Sequence, residues 1–297
     1  MYSHEKKLIN NYILQYTMFM KIHVINTGNF KLDGGAMFGV VPKTIWSKTN
    51  PADNNNMCSW AMRCLLLEYD DKKILIDTGI GNKQSEKFFK HFYLHGIDNL
   101  TNSLKQINIR PEEITHVFFT HLHFDHCGGA VIKKNNSLEL LFKNAIHLTN
   151  KTHWELANNP NPREKASFLK ENFSLIKEIG QLQFIEEGQL FDNIFVKFFN
   201  GHTMGQMLPF ITYKDKKIVF VADLVPSIGH IPLPYVMGYD TQPLVTLQEK
   251  FQFLNQACEN NYILFLEHDY EYEACTIKYK HNKFEVGKAG KLKEFLI

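Results

Sequence analysis

The 297-residue chain has no excess of charge of either sign, with 33 lysines and arginines against 31 acidic residues and a formal charge of +2. Such a chain lacks the basic footprint of a nucleic-acid binder, and no nucleic acid is expected among its partners. Cysteine is scarce. The five thiols, Cys58, Cys64, Cys127, Cys258 and Cys275, are odd in number and scattered, with no C-x-x-C pair. That excludes a disulfide scaffold and suits reduced thiols in a cytoplasmic protein. Long apolar runs are missing too, so no transmembrane helix and no membrane partner are expected. The opening MYSHEKKLINNYILQYTMF is interrupted by Asn10, Asn11, Tyr12 and Gln15 before a signal-peptide core can form. No Ser/Gly-rich linker or low-complexity tract divides the chain.

What the sequence does have is a globular composition, 44% hydrophobic and 22% charged, and a repeated local pattern. An apolar, β-branched run ends in a turn that carries a polar group. RCLLLEYDDKKILIDTGIG at 63–81 predicts a hairpin around Asp70 and Asp71, then a strand ending at Asp77. ITHVFFTHLHFDHCGG at 114–129 predicts a buried strand ending in a histidine-rich turn. VKFFNGHTMGQ, KKIVFVADLVP and YILFLEHDYEY predict three more strands whose ends deliver His202, Asp223 and His268. Helical segments are expected over 85–109, 151–180 and 243–260. The pattern predicts an α/β fold of two βαβ-like halves whose strand ends converge on one site. Residues 20–297, opening with the strand MKIHVINTG, are read as a single domain and residues 1–19 as an N-terminal extension.

The strand ends together offer His121, His123, Asp125, His126, His202, Asp223 and His268. Five imidazoles and two carboxylates exceed the needs of one tetrahedral ion and suit two divalent ions with open positions. The mixed nitrogen and oxygen donors favour zinc, with iron, cobalt or manganese as alternatives. Asp77 is expected to orient the histidine turn from behind. His23, His91, His95, His147, His153 and His281 are left without a role, and Cys127 is read as a small packed residue.

The order His-x-His-x-Asp-His, then a lone His, a lone Asp and a final His, resembles the metallo-β-lactamase superfamily. The resemblance spans about residues 20 to 280 and matches all seven positions. It implies an αββα sandwich, with His121, His123 and His202 on a first metal, Asp125, His126 and His268 on a second, and Asp223 bridging them. It also implies a hydrolase using metal-bridging hydroxide, with Asp125 or a loop hydroxyl handling the proton. The ligand set departs from class B β-lactamases at His126 and Asp223. Fewer than the residues needed for a glutathione-binding region follow His268, and there is no flavodoxin domain or basic arm. FKLDGGAMFGVVPKTIWSK at 30–48 and HIPLPYVMGYDTQP at 230–243 look like the lactonase and methyl-parathion-hydrolase-like branch, which includes N-acyl-homoserine lactonases. That branch implies a small-molecule lactone or ester substrate and a possible homodimer. A phosphotriester or thioester substrate, or a metal-binding protein without activity, are the other readings. The lactonase tyrosine three residues after the bridging aspartate is Pro226 here. His230 or Tyr235 is expected to replace it, with Tyr239 a third choice. Met37, Phe38, Val40, Phe88, Phe92, Leu233 and Tyr235 are expected to line the substrate pocket.

Overall fold

The computed structural model describes residues 20–297; the expected extension over 1–19 lies outside the described residues. Its strands are β1 (Lys21–Asp33), β2 (Met57–Tyr69), β3 (Lys72–Ile76), β4 (His116–Phe118), β5 (Val131–Lys134), β6 (Ser137–Leu140), β7 (Ile146–Thr149), β8 (Leu182–Phe184), β9 (Gly188–Phe191), β10 (Ile194–Phe199), β11 (Gln206–Tyr213), β12 (Lys216–Phe220), β13 (Ile263–Phe265), β14 (Ala274–Lys280) and β15 (Lys283–Gly290). One sheet has the order β1-β2-β3-β4-β7-β8 and the other β15-β14-β13-β12-β11-β10-β9, while β5 and β6 form a separate hairpin. β1 to β3 pair antiparallel, β3, β4, β7 and β8 parallel, and β12 with β13 parallel.

The two-residue period of a strand sorts its side chains between two cores. In β2, Leu65 and Leu67 join the core between the sheets, whereas Cys64 and Leu66 face the helices outside. β3 divides in the same way, with Ile74 and Ile76 inward and Leu75 outward, and Phe118 of β4 faces in while Val117 faces out. The inner core is completed from the second sheet by Val196, Met207, Ile211, Ile218 and Phe220. On the outer face of the first sheet lie Leu100, Leu104, Trp154, Phe173 and Ile176. The helix Pro243–Glu259 packs Phe253, Leu254 and Ala257 against the second sheet. The result is the two-sheet sandwich with outer helices. The hairpin at Asp70–Asp71 and the helix at 243–259 agree with the sequence reading. The helix expected over 151–180 does not form as one piece. It stops at Asn158, because Pro160 and Pro162 remove backbone donors and bias the preceding residues to extended backbone.

Two contacts hold the halves in register at the end where the loops gather. Ala61 and Arg63 of β2 donate their N–H groups to the carbonyls of His268 and Glu267. The buried Arg63 guanidinium is further enclosed by the carbonyls of Leu266, Asp269, Tyr270 and Tyr272, so it ties down the whole loop that carries His268. The histidine turn is seated differently, through two glycines. A Cβ on Gly129 would lie 2.2 Å from Thr78 O, and one on Gly128 would lie 2.2 Å from Ile80 O. Both contacts are to backbone, which cannot move aside as a side chain would.

Gly129→Ala is therefore expected to cost about 1–3 kcal/mol in chemical denaturation, and a stability equal to that of the parent chain would show that the turn is not pressed against the 78–80 backbone.

Candidate metal centre

Each isolated site residue stands at the same place relative to its strand. His121, His202, Asp223 and His268 all lie three positions beyond the last residue of β4, β10, β12 and β13. The remaining three, His123, Asp125 and His126, come from the short helix Phe124–Cys127 and the residue preceding it. The turn is held by Asp77, which has a positive φ of 58° and accepts from the Thr120 N–H at 2.8 Å and the Thr120 hydroxyl at 2.7 Å. His153, one of the histidines without an expected role, proves structural. Its Nε2 accepts from the Leu122 N–H at 2.8 Å, and its Nδ1–H donates to Met204 O at 2.8 Å, joining the histidine turn to the His202 loop.

The seven expected residues are all brought together and all buried. Potential ligand atoms of His121, His123, His202 and Asp223 lie within 4.8 Å of one another, as do those of Asp125, His126 and His268. Imidazole nitrogens face each other directly. His123 Nδ1 lies 3.0 Å from His121 Nε2 and 3.2 Å from His202 Nε2, and His126 Nε2 lies 3.3 Å from His268 Nε2. Asp223 is common to both groups. Its Oδ2 is 3.5 Å from His121, 3.1 Å from His202 and 3.4 Å from His126, while its Oδ1 is 3.2 Å from His268. Nitrogens converging in this way, with buried Asp223 Oδ1 lacking any hydrogen-bond partner, fit a pair of divalent cations.

Acidic residues behind the imidazoles complete the geometry. His126 Nδ1 is 3.0 Å from Asp77 and 3.1 Å from Glu267. His202 Nδ1 is 3.0 Å from Asp240. Glu164 lies 3.7 Å from His123 Nε2 and accepts from the Thr203 hydroxyl at 2.8 Å. His268 Nδ1–H donates to Ala61 O at 2.8 Å. The expectation for Asp77 agrees with this arrangement, but Glu164, Asp240 and Glu267 were missed. Burial pulls down the pKa of His121 and His123, leaving neutral rings with free lone pairs. Burial also opposes charging of the other three, but neighbouring carboxylates outweigh it. His126 is held well above the usual range by Glu267, Asp125 and Asp223, and Asp223 raises His202 to about 10 and His268 to about 9. Burial likewise opposes the charge on Asp223, yet these imidazoles keep it well below the usual carboxylate range.

Beside these residues opens a cavity of about 430 Å³. Leu32, Met37, Phe92, Phe124 and Met237 form an apolar part, and His123, Asp125, His202, Asp223 and His268 the polar floor. Of the pocket residues expected from sequence, Met37 and Phe92 are here. Phe38 is fully buried, Val40 is 94% exposed and Phe88 packs behind Phe92 and Phe124.

Two expected catalytic residues are not brought to this cavity. His230 stacks on Phe38 with ring centroids 4.4 Å apart, and both its nitrogens are engaged, Nδ1 with the Ser227 hydroxyl and Nε2 with Met37 O. Burial pushes its pKa down to about 3, so it is a neutral core ring. Tyr235 and Leu233 border a separate cavity of about 540 Å³ with Phe251, Tyr279 and Phe284. The loop between turns over because buried Lys250 draws the carbonyls of Pro232, Leu233 and Tyr235 onto its ammonium. Tyr239, in contrast, lines the metal-side cavity, together with Arg163 and Glu164. Arg163 donates to the carbonyls of Gly238 and Asp240, so it fixes the loop that carries both Tyr239 and the partner of His202.

Fold and site together define a metal-dependent hydrolase, and the chain belongs to the metallo-beta-lactamase superfamily, whose family model matches residues 63–267. Among its relatives is the N-acyl homoserine lactonase AiiA of Bacillus thuringiensis subsp. kurstaki, 24% identical over 86% of this chain and 96% of the lactonase. A probable metal-dependent hydrolase from Staphylococcus aureus is similar in structure, with a TM-score of 0.84, 30% identity, and coverage of 92% of this chain and 98% of that one. AidC, described as a dizinc quorum-quenching lactonase, superposes with a TM-score of 0.75 at 22% identity, covering 91% and 95% of the two chains. No helix among the described residues is long and apolar enough to cross a membrane.

Because His126, His202 and His268 hold protons in the metal-free protein at about pH 7, binding of divalent ions must expel them. Calorimetry of zinc binding in buffers of different ionisation enthalpy should report release of more than one proton, and the apparent affinity should climb as pH rises toward about 9. A binding enthalpy independent of buffer would contradict this charge state.

Proposed function

We propose that the protein is a dinuclear hydrolase that opens lactone rings, with N-acyl homoserine lactones the leading substrate class. The observation that carries this reading is the adjacency of the two ligand groups to one cavity with an apolar wall. A volume of about 430 Å³ suits a small molecule rather than a polymer. Its division into apolar wall and polar floor suits an acyl chain joined to a reactive carbonyl. The likeness to AiiA and AidC supports the same class. His121, His123 and His202 are proposed to hold one ion, Asp125, His126 and His268 the other, and Asp223 both. Zinc is the proposed metal, given the nitrogen and oxygen donors. Two such ions supply a hydroxide nucleophile at neutral pH and draw electron density from the lactone carbonyl.

The chain's own residues supply position and protons. Asp77, Glu267, Asp240 and Glu164 fix the imidazole rings, while Met37, Phe92 and Met237 exclude water from the acyl side. Hydrolysis adds hydroxyl to the acyl carbon and a proton to the departing alkoxide. Asp125, at the cavity floor, is proposed to receive the proton that the nucleophile gives up. Tyr239, in the cavity lining, is proposed to meet the alkoxide with its hydroxyl. Burial, with Asp33 and Asp125 nearby, pushes its pKa up to about 12, so it keeps its proton as a donor.

The test is steady-state turnover of zinc-reconstituted protein on short- and long-chain acyl homoserine lactones, simple γ- and δ-lactones, an aryl phosphotriester and a glutathione thioester. Saturable opening of a lactone, abolished by Asp223→Ala, is expected. Faster turnover of the phosphotriester or thioester would replace the substrate class, and no turnover with two ions bound would remove the lactonase reading.

Within that assay Tyr239→Phe should lower kcat on the order of a hundredfold while metal content stays at the parent value. An unchanged kcat would remove Tyr239 from proton transfer.

A further inference from the structure

Glu267 directly precedes the last histidine of the site, and its side chain is fully buried. Among the described residues it is the one carboxylate with both oxygens buried and neither given a hydrogen-bond partner. Its backbone carbonyl accepts from the Arg63 N–H, a hydrogen bond that any residue supplies. Burying a carboxylate costs several kcal/mol unless a counter-charge answers it. His126 Nδ1 lies 3.1 Å from Glu267 Oε2, and among the described residues no other cationic group lies within 4.0 Å of that carboxyl. That same nitrogen is already 3.0 Å from Asp77 Oδ2.

One ring N–H cannot be shared equally by two anions. Asp77 also accepts from the Thr120 N–H and hydroxyl, so its position is set by the histidine turn, whereas Glu267 is set only by the His268 loop. The opposite edge of the same ring carries Nε2, which faces Asp125, Asp223 and His268. The ring therefore lies between two anions behind and the proposed cation position in front.

We propose that Glu267 is a positioning residue for the second ion. With Asp77 it backs His126 Nδ1 with two carboxylates, fixes the ring and places a buried negative charge behind the Asp125, His126 and His268 position. It thereby tightens a divalent cation there and makes the two metal positions unequal. The inference rests on the dinuclear reading above.

The test compares the full-length parent, E267Q and E267D after zinc loading, by metal analysis and by competition with a chromophoric chelator, alongside thermal melts of the metal-free proteins. The parent is expected to hold two ions. E267Q should keep the first and release the second 10- to 100-fold more readily. E267D, still charged, should hold the second within a few fold of the parent. Metal-free E267Q should melt no lower than the parent, since the amide removes a buried carboxyl group and keeps an oxygen to face His126 Nδ1. Two ions held equally by the parent and E267Q would overturn this inference alone. So would a metal-free E267Q that melts lower or fails to fold, an E267D as weak as E267Q, or a third ion in the parent, which would make Glu267 a ligand. Fewer than two ions in the parent would overturn the dinuclear reading together with it.

Discussion

Four imidazoles from three separate loops converge on one buried carboxylate, that of Asp223, at 3.1 to 3.5 Å. No arrangement of protons satisfies all of these groups at once. The carboxylate draws protons onto His126, His202 and His268, while burial strips them from His121 and His123. The protein thus holds a set of lone pairs and charges whose mutual strain is relieved by divalent cations. Ions that bind the folded state alone should also stabilise it, by mass action.

Everything around Asp223 serves to hold that convergence. The three-residue offset from β4, β10, β12 and β13 brings single ligands from both sheets to one end of the sandwich. Arg63 clamps the His268 loop through carbonyls, Gly128 and Gly129 let the histidine turn lie on the 78–80 backbone, and His153 links that turn to the His202 loop. Packing of the two sheets is what gives these loops a fixed separation, because the inner core is built from alternate residues of the same strands that carry the ligands.

The strands and ligands were legible because their signals are local. A β-branched run followed by a turn with His or Asp is readable in ten residues, and His121 to His126 stand within six consecutive positions. The carboxylates behind the rings were not, since each meets its histidine only through tertiary convergence. Asp240 is 38 residues from His202, and Glu164 lies in a stretch read as continuous helix. The Asn-Pro-Asn-Pro tetrapeptide at 159–162 was the available sign that 151–180 breaks, which would have exposed Arg163 and Glu164 as loop residues. Glu267 was in view beside His268, and its charge inside an apolar strand end was the signal. His230 and Tyr235 lie away from the cavity for a related reason. Their loop is bent by Lys250, an ammonium fully buried in the helix Pro243–Glu259, and nothing in 230–243 itself announces that pull.

The central claim is that Asp223 joins two divalent ions within these seven ligands. Anomalous diffraction at the zinc absorption edge, from crystals of the zinc-loaded protein, tests it most directly. The account predicts two peaks roughly 3.5–4 Å apart, one beside His121, His123 and His202 and one beside Asp125, His126 and His268, with Asp223 touching both. A single peak, or peaks away from Asp223, would contradict it.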